Sequence, residues 1–526
     1  MKKLIFLFCA LCAGHLFAQQ EGTLDGDFDG DGMVNLDFTD IFSVLNLEGK
    51  ACALQSDGKI LFLGNNADWQ QEYVKYRLNP DASIDESYTG LGQGASGYFD
   101  SFVESARATA IVASSDGNNI IGGTVTDTLG FNSFAFESRG LTGHATPGFG
   151  NFGSVILNWK FPSPAGLEAL ALQPDGKVVA VGFETELDKS HFAIVRLNTD
   201  GTLDNSFSFD GLATATLGIS DFAQDVLIQP DGKILVAGSA NNGQGHAFAF
   251  IRFNTNGTLD NFFGNAGKAV FSFPNTEEAF LSSIQLQSDG KIVAGGFVYE
   301  GNECDLALLR LTSNGNLDVS FGNGGVVTTS FPNQIVGTFE GISSIAIQND
   351  GRILAVGESS NAAVIVRYMH NGLLDDSFGL SGFVSTQYPG SITTSASDCL
   401  LQPDGKLLIV GTTYQSPTDA DPFMARYLTA LNVGTINPLG NTVEVLLYPN
   451  PVPADATFGF ELESAAEVSM SIMDLQGKLL NQPLLKSNFP TGKQEVSLSL
   501  GDLVPGNYLL VLQAGAHVVT TKFIKN

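Results

Sequence analysis

The chain of 526 residues holds 55 acidic against 26 basic side chains, a net charge of −29, with 60 glycines, 39 phenylalanines and five cysteines. A field of that sign repels nucleic acid and anionic membranes, which excludes polyanions as partners. Cysteines this sparse give no disulfide framework, so the fold has to be held by its core.

The chain opens with Met1-Lys2-Lys3, an apolar run from Leu4 to Leu16, and the small-residue end Phe17-Ala18. These are the charged and hydrophobic regions of a cleaved signal peptide, residues 1–18. Cys9, Cys12, Lys2 and Lys3 leave with it, so the mature chain is more acidic still. No later run approaches the ~20 apolar residues of a membrane span, and the mature chain is expected to be soluble with no transmembrane segment.

An acidic cluster comes next. Asp27, Asp29 and Asp31, with Gly32, match positions 1, 3, 5 and 6 of an oxygen-ligand calcium loop, but position 12 is Phe38, where a bidentate acid should stand. Calcium at Asp27, Asp29 and Asp31 is the one metal reading offered, and no other cofactor is expected. Against it, Asp25, Phe28 and Val34 are also explained by the repeat that follows.

From there a hairpin signal recurs seven times around an Asp-Gly pair, at Asp57, Asp116, Asp175, Asp231, Asp289, Asp350 and Asp404, with spacings of 59, 59, 56, 58, 61 and 54 residues. In Pro230-Asp231-Gly232-Lys233 the proline presets a turn, the aspartate closes an Asx-type bond and the glycine takes positive φ. Apolar runs flank it, Val226-Leu227-Ile228 before and Ile234-Leu235-Val236 after. Seven residues beyond each aspartate stands a glycine (Gly64, Gly123, Gly182, Gly238, Gly296, Gly357, Gly411), which marks either a bulge or the close approach of a neighbouring chain. A third strand, a polar turn, an aromatic-Gly element and a fourth strand complete the unit, the content of a propeller blade. Six third strands carry an arginine (Arg77, Arg196, Arg252, Arg310, Arg367, Arg426), each expected to be buried against an aspartate of its unit rather than to form a cationic ring for an anionic ligand. The polar turns, such as Asn254 to Asp260, are explained by Asx-turns.

The seventh unit stops at Tyr427 without a fourth strand, whereas Gly22-Thr23-Leu24-Asp25 at the other end repeats Gly201-Thr202-Leu203-Asp204. The segment near 32–38 is therefore expected to pair with Phe423 to Leu428 and close a seven-bladed ring spanning 19–428, hiding the edges. Cys52 and Cys399 replace apolar core residues of other units; they read as small core side chains, with a bridge across the closure left open.

The residues L-Q-P-D-G-K, an arginine-bearing strand and T-L-D-x-S-F-G resemble the delta-60 β-propeller repeats of bacterial exported proteins over about 22–428. The second unit departs, with Arg139-Gly140-Leu141-Thr142-Gly143 in place of the Leu-Asp turn. The resemblance implies a fold and an extracellular setting and no defined reaction.

Residues 429–441 carry no repeat signal and include Gly434, Asn437, Pro438 and Gly440, as an exposed linker would. Beyond it, alternating runs such as Val468 to Ile472, Val496 to Leu500 and Tyr508 to Leu512 point to a small antiparallel, Ig-like β-sandwich over 442–526. Its motifs are Tyr448-Pro449-Asn450-Pro451, a turn with Gly477, Leu503-Val504-Pro505-Gly506-Asn507-Tyr508 and a basic end with Lys522. In that order they closely resemble the C-terminal sorting domain of type IX secretion in Bacteroidota. The resemblance implies the type IX machinery as partner, removal of the domain, and a secreted or surface-attached product.

Catalytic constellations are missing. His144, His191, His246, His370 and His517 stand without a Cys or His at metal spacing, and no nucleophile elbow or zinc helix occurs. Gly92 to Gly97 matches a phosphate-loop pattern but precedes no helix. Two classes stay open: a binding or adhesion module for a glycan or protein ligand, and a glycan hydrolase or lyase with acids in the central channel. Regularity of the units favours binding. Acids of raised pKa converging in the channel would favour the enzyme.

Overall fold

The computed structural model describes residues 21–36, 46–67, 73–88, 104–157, 165–301, 303–331, 340–416 and 418–429, and most of 445–525. The signal peptide, Gly92 to Gly97 and most of the linker lie outside them. Contacts divide the chain into two compact units, one being Glu21–Thr429 and the other built on the segment after it.

Within the first unit every described element is a strand, and the strands form seven antiparallel sheets. Six have four strands; the sheet of Leu47–Leu54, Ile60–Asn66 and Tyr73–Leu78 has three described. The fourth sheet along the chain shows the plan: Asp221–Ile228, Ile234–Asn241, His246–Phe253 and Lys268–Phe271, in that order. Its first strand alternates between buried and half-buried positions, while the second and third are almost wholly buried. Each first strand packs against the first strands of the sheets before and after it, and that of the last sheet packs against Leu47–Leu54. The succession returns on itself, with apolar clusters filling the space between neighbouring sheets.

The closure comes from the N-terminal segment. Met33–Asn35 pairs antiparallel with Phe423 to Ala425 as the fourth strand of the last sheet, beside Thr393–Leu401, Leu407–Ser416 and Asp419–Tyr427. Gly22 N donates to Leu428 O at 2.7 Å, Leu428 N to Thr23 O at 2.9 Å and Arg426 N to Gly32 O at 2.9 Å. This covers the edge strand and buries Phe28 and Leu36.

Both readings of the repeated glycine hold together. The first strand slips register opposite it, as between Ala223 and Asp225 facing Gly238, so the glycine faces a bulge. A Cβ on Gly238 would stand 2.0 Å from Phe222 O, and one on Gly182 would stand 1.8 Å from Gly166 O. Only glycine fits where the bulged carbonyl turns inward.

Thr429 corrects the expected boundary. Placed in the linker by its sequence, it is 1% exposed, and its carbonyl accepts from Arg367 Nη1 at 2.6 Å and Gln348 Nε2 at 3.2 Å. It stands three residues after Arg426, the position from which each unit offers a carbonyl to its predecessor, and therefore belongs to the first unit.

The second unit contains two antiparallel sheets. Val445–Tyr448, Asp455–Leu462 and Gly492–Ser499 form one; Leu479–Phe489, Ala466–Met473, Gly506–Ala514 and His517–Lys525 form the other. Their apolar residues, among them Phe458, Met470, Leu510 and Phe523, make one core.

Candidate functional site

The arginines are pins between sheets. Arg196, 4% exposed, gives Nε to Asp204 Oδ2 at 2.7 Å and Nη2 to Ser206 Oγ at 3.1 Å, both in its own unit. Its Nη1 crosses to Thr255 O of the next unit at 2.6 Å, and the guanidinium lies 4.8 Å from the Phe207 ring centroid. Arg252 and Arg310 repeat the aspartate and carbonyl bonds, with Asp260 and Asp318 at 2.8 Å and with the carbonyls of Ser313 and His370. At the closure Arg426 holds Asp25 at 2.6 Å, 401 residues away, and reaches Pro80 O of the first sheet. Where a lysine follows the Asp-Gly it adds a second cation, as Lys177 Nζ does to Asp204 at 3.0 Å, and Arg352 takes that part for Asp375 at 3.0 Å. Burial alone would raise the Asp204 carboxyl, but the bonds from Ser206 and Lys177 and the Arg196 charge hold it well below the usual range.

The second propeller repeat replaces the whole device. Ser138 stands at the arginine position and Thr146 at the aspartate position, and their hydroxyls bond each other at 2.8 Å. Removing both charges together leaves no buried ion unpaired. The arginines are thus committed to the frame, and no cationic ring faces a ligand.

A cavity of about 500 Å³ runs along the first strands of all seven sheets. Its wall is made by the bulge residues, Lys50, Thr109, Glu168, Gln224, Ser282, Ser343 and Ser397, each seven positions before an Asp-Gly. The bulge aims these side chains into the channel, and the repeat leaves their identity free. Asp225 and Asp398, one position on, also line it. Asp225 accepts from Val226 N at 2.7 Å and, across the junction, from Ile284 N at 2.7 Å. Asp398 does the same with Cys399 N at 2.8 Å and Cys52 N at 3.1 Å. Burial pushes Asp225 up to about 7, against the bonds from Ile284, Val226 and Ser283. Burial also raises Asp398, Glu168 and Glu358, the last also on the cavity wall. The channel residues had a signal in the sequence, a variable position in fixed register with the hairpins, but it is visible only once the bulge is known.

Asp31 Oδ1 accepts from Met33 N at 2.9 Å, and Asp29 takes φ +51° in the turn leading to the closing strand. Burial and the charges of Asp31 and Asp81 raise the Asp29 carboxyl. Among the described residues no three His, Cys, Asp or Glu side chains gather at ligating geometry, so these aspartates are not brought together as a calcium cage. Cys52, Cys304 and Cys399 are free and buried. Burial and the Asp398 charge push Cys399 up to about 12, as for an inert core thiol. Of the sorting motifs, Pro449, Asn450, Pro451 and Gly477 lie outside the described residues. Tyr448 ends a strand, Gly506 begins one and Lys522 lies within the last. Tyr508 is buried, with its hydroxyl donating to Val504 O at 2.7 Å and its ring stacked on Phe523 at 5.6 Å.

Five stretches, 173–207, 229–263, 287–321, 348–378 and 402–431, match the family model described as a domain of unknown function (DUF5122) beta-propeller. Residues 446–526 match the secretion system C-terminal sorting domain. The chain carries both modules. The sorting domain engages the type IX secretion machinery and directs the protein to the cell surface or the extracellular space. Among solved structures, the polysaccharide lyase Uly1 is 11% identical with a TM-score of 0.43, over 73% of this chain and 90% of that one. A protein of unknown function from Dyadobacter fermentans is 10% identical with a TM-score of 0.39, over 76% and 99%. The PQQ-bound aldose sugar dehydrogenase of Streptomyces coelicolor is 11% identical with a TM-score of 0.36, over 75% and 98%. No curated protein matches the chain.

Proposed function

We propose that the propeller of seven sheets is a binding module, displayed outside the cell and delivered there by a sorting domain that is cut away. The observation that carries this reading is the use made of the channel acids. Asp225 and Asp398 are each tied to backbone amides of two neighbouring sheets, a structural task, and their raised pKa follows from burial against those bonds rather than from a proton-transfer role. What remains on the wall is a ring of hydroxyl, amide and acidic groups with one lysine, suited to hydrogen-bonding a polyhydroxylated ligand. A glycan and surface-extract array probed with the exported protein tests this; retention of a defined ligand class supports it, and an empty array over concentrations up to millimolar rejects it.

A glycan hydrolase or lyase is the second reading, favoured by Glu168 and Glu358, whose raised carboxyls line the same channel. Product release from a polysaccharide panel that is abolished by Glu168→Gln or Glu358→Gln would establish it.

A further inference from the structure

Three consecutive sheets break the chain's own repeat at the same end, and each break places a phenyl ring in solvent. Phe152, Phe209 and Phe262 all lie in the connection between a third and a fourth strand and are 91%, 93% and 87% exposed. None of the three rings packs in the core, and each has a local cost. Phe152 sits at φ +52°, where Ala266, Gly324 and Ser381 stand in other units. Phe209 sits at φ +74°, a position held by Gly30 in the closing unit. A bulky side chain in the left-handed region is strained. Phe262 occupies the place of Ser206 and Ser320, whose hydroxyls bond both the arginine and the aspartate of the pin. That contact is forfeited beside Arg252. Exposed aromatics held at a structural cost are the signature of a surface selected for contact.

Beside Phe209 lies a groove of about 520 Å³ between the third and fourth sheets, lined by Ser208, Asp210, Thr214, Thr216 and Lys268. Phenyl discs next to hydroxyls, a carboxylate and an ammonium match a pyranose, which offers an apolar C–H face to a ring and hydroxyls to polar groups. The net charge of −29 disfavours polyanionic chains. We infer that this rim is a binding site for a neutral polysaccharide, an extended chain laid across three neighbouring sheets with Phe152, Phe209 and Phe262 as successive stacking platforms. The inference rests on the reading of the propeller as a binding module and moves the contact from the channel to the rim.

The test is affinity electrophoresis of the full chain in soluble β-glucan, mannan and xylan, with melting temperature measured in parallel. The variant Phe152→Ser/Phe209→Asn/Phe262→Ser puts at each position a residue that other repeats carry there; Leu129→Asn, at an exposed apolar residue in the turn between the second and third strands of the second sheet, is the control. The expected result is retardation of the wild type by at least one polymer, at least tenfold weaker retention of the triple variant, and a higher melting temperature for that variant. Wild-type mobility unchanged in all three polymers overturns the rim site. So does a triple variant that binds as wild type, or one that loses binding together with stability. Equal loss of binding in Leu129→Asn also overturns it, while a triple variant that binds as wild type leaves the channel as the binding site.

Discussion

At the residue scale, the arginine pin decides how the ring is held. Each guanidinium sits between an aspartate, an aromatic face and a carbonyl of the next unit, so truncating it leaves a buried carboxylate with only its half-buried second cation, as Asp260 with Lys233, and breaks a junction at once. Arg252→Ser is expected to cost ~3–5 kcal/mol, as does removal of one partner of a buried pair. The double change Arg252→Ser/Asp260→Thr copies Ser138 and Thr146 and should cost less than either single change; denaturant melts of the four proteins give the comparison. A double variant as unstable as the sum of its parts would contradict the account. The pin was legible in the sequence as an arginine and an aspartate in fixed register. Its reach into the next unit was not, because the acceptor is a backbone carbonyl three residues past the following arginine position, where side-chain identity carries no information.

The channel acids give a pH signature of definite sign. Asp225 titrates near 7 in the folded chain, against about 3.9 unfolded, so the native state holds the proton more tightly. Its contribution therefore falls as pH rises from about 4 to 7. Pinned aspartates such as Asp204, held below the usual range, lose their contribution only as pH drops beneath about 4, outside this window. Between pH 5 and 8 the melting temperature should decline, and Asp225→Asn should decline less. Equal slopes for the two proteins would remove the carboxyl from the explanation.

At the scale of elements, the closing strand is the sensitive one. Met33–Asn35 is only three residues long, yet the segment around it supplies Asp25 to Arg426, Phe28 to the core and five backbone bonds to residues 422–428. Deleting 21–36 uncovers an edge strand and unpairs the Arg426 guanidinium together. The shortened chain is expected to melt well below the parent and to aggregate, measured by circular dichroism and light scattering; a truncation melting with the parent would refute closure by this strand. The incomplete seventh unit announced this pairing, since a blade lacking its fourth strand and a spare copy of the turn at the other terminus fit each other. The bulge was only half announced. A repeated glycine marks a backbone requirement, but it does not say which chain approaches, and so the residues facing the channel stayed hidden among first-strand positions.

At the scale of the whole molecule, the two units have separate tasks. The first closes on its own N-terminal segment and ends at Thr429, so it needs nothing from the sorting domain to complete its sheets. The form recovered from culture medium or cell surface should therefore lack the C-terminal sheets and end soon after Thr429, as intact mass will show; residues through Asn526 retained on that form would count against removal. The outward task is the central claim. It is tested most directly by incubating the exported protein with the ligand class it retains, releasing that ligand and weighing it. The account predicts the ligand returned with its mass unchanged after many hours. Recovery of shortened or unsaturated fragments would contradict it and make the channel acids catalytic.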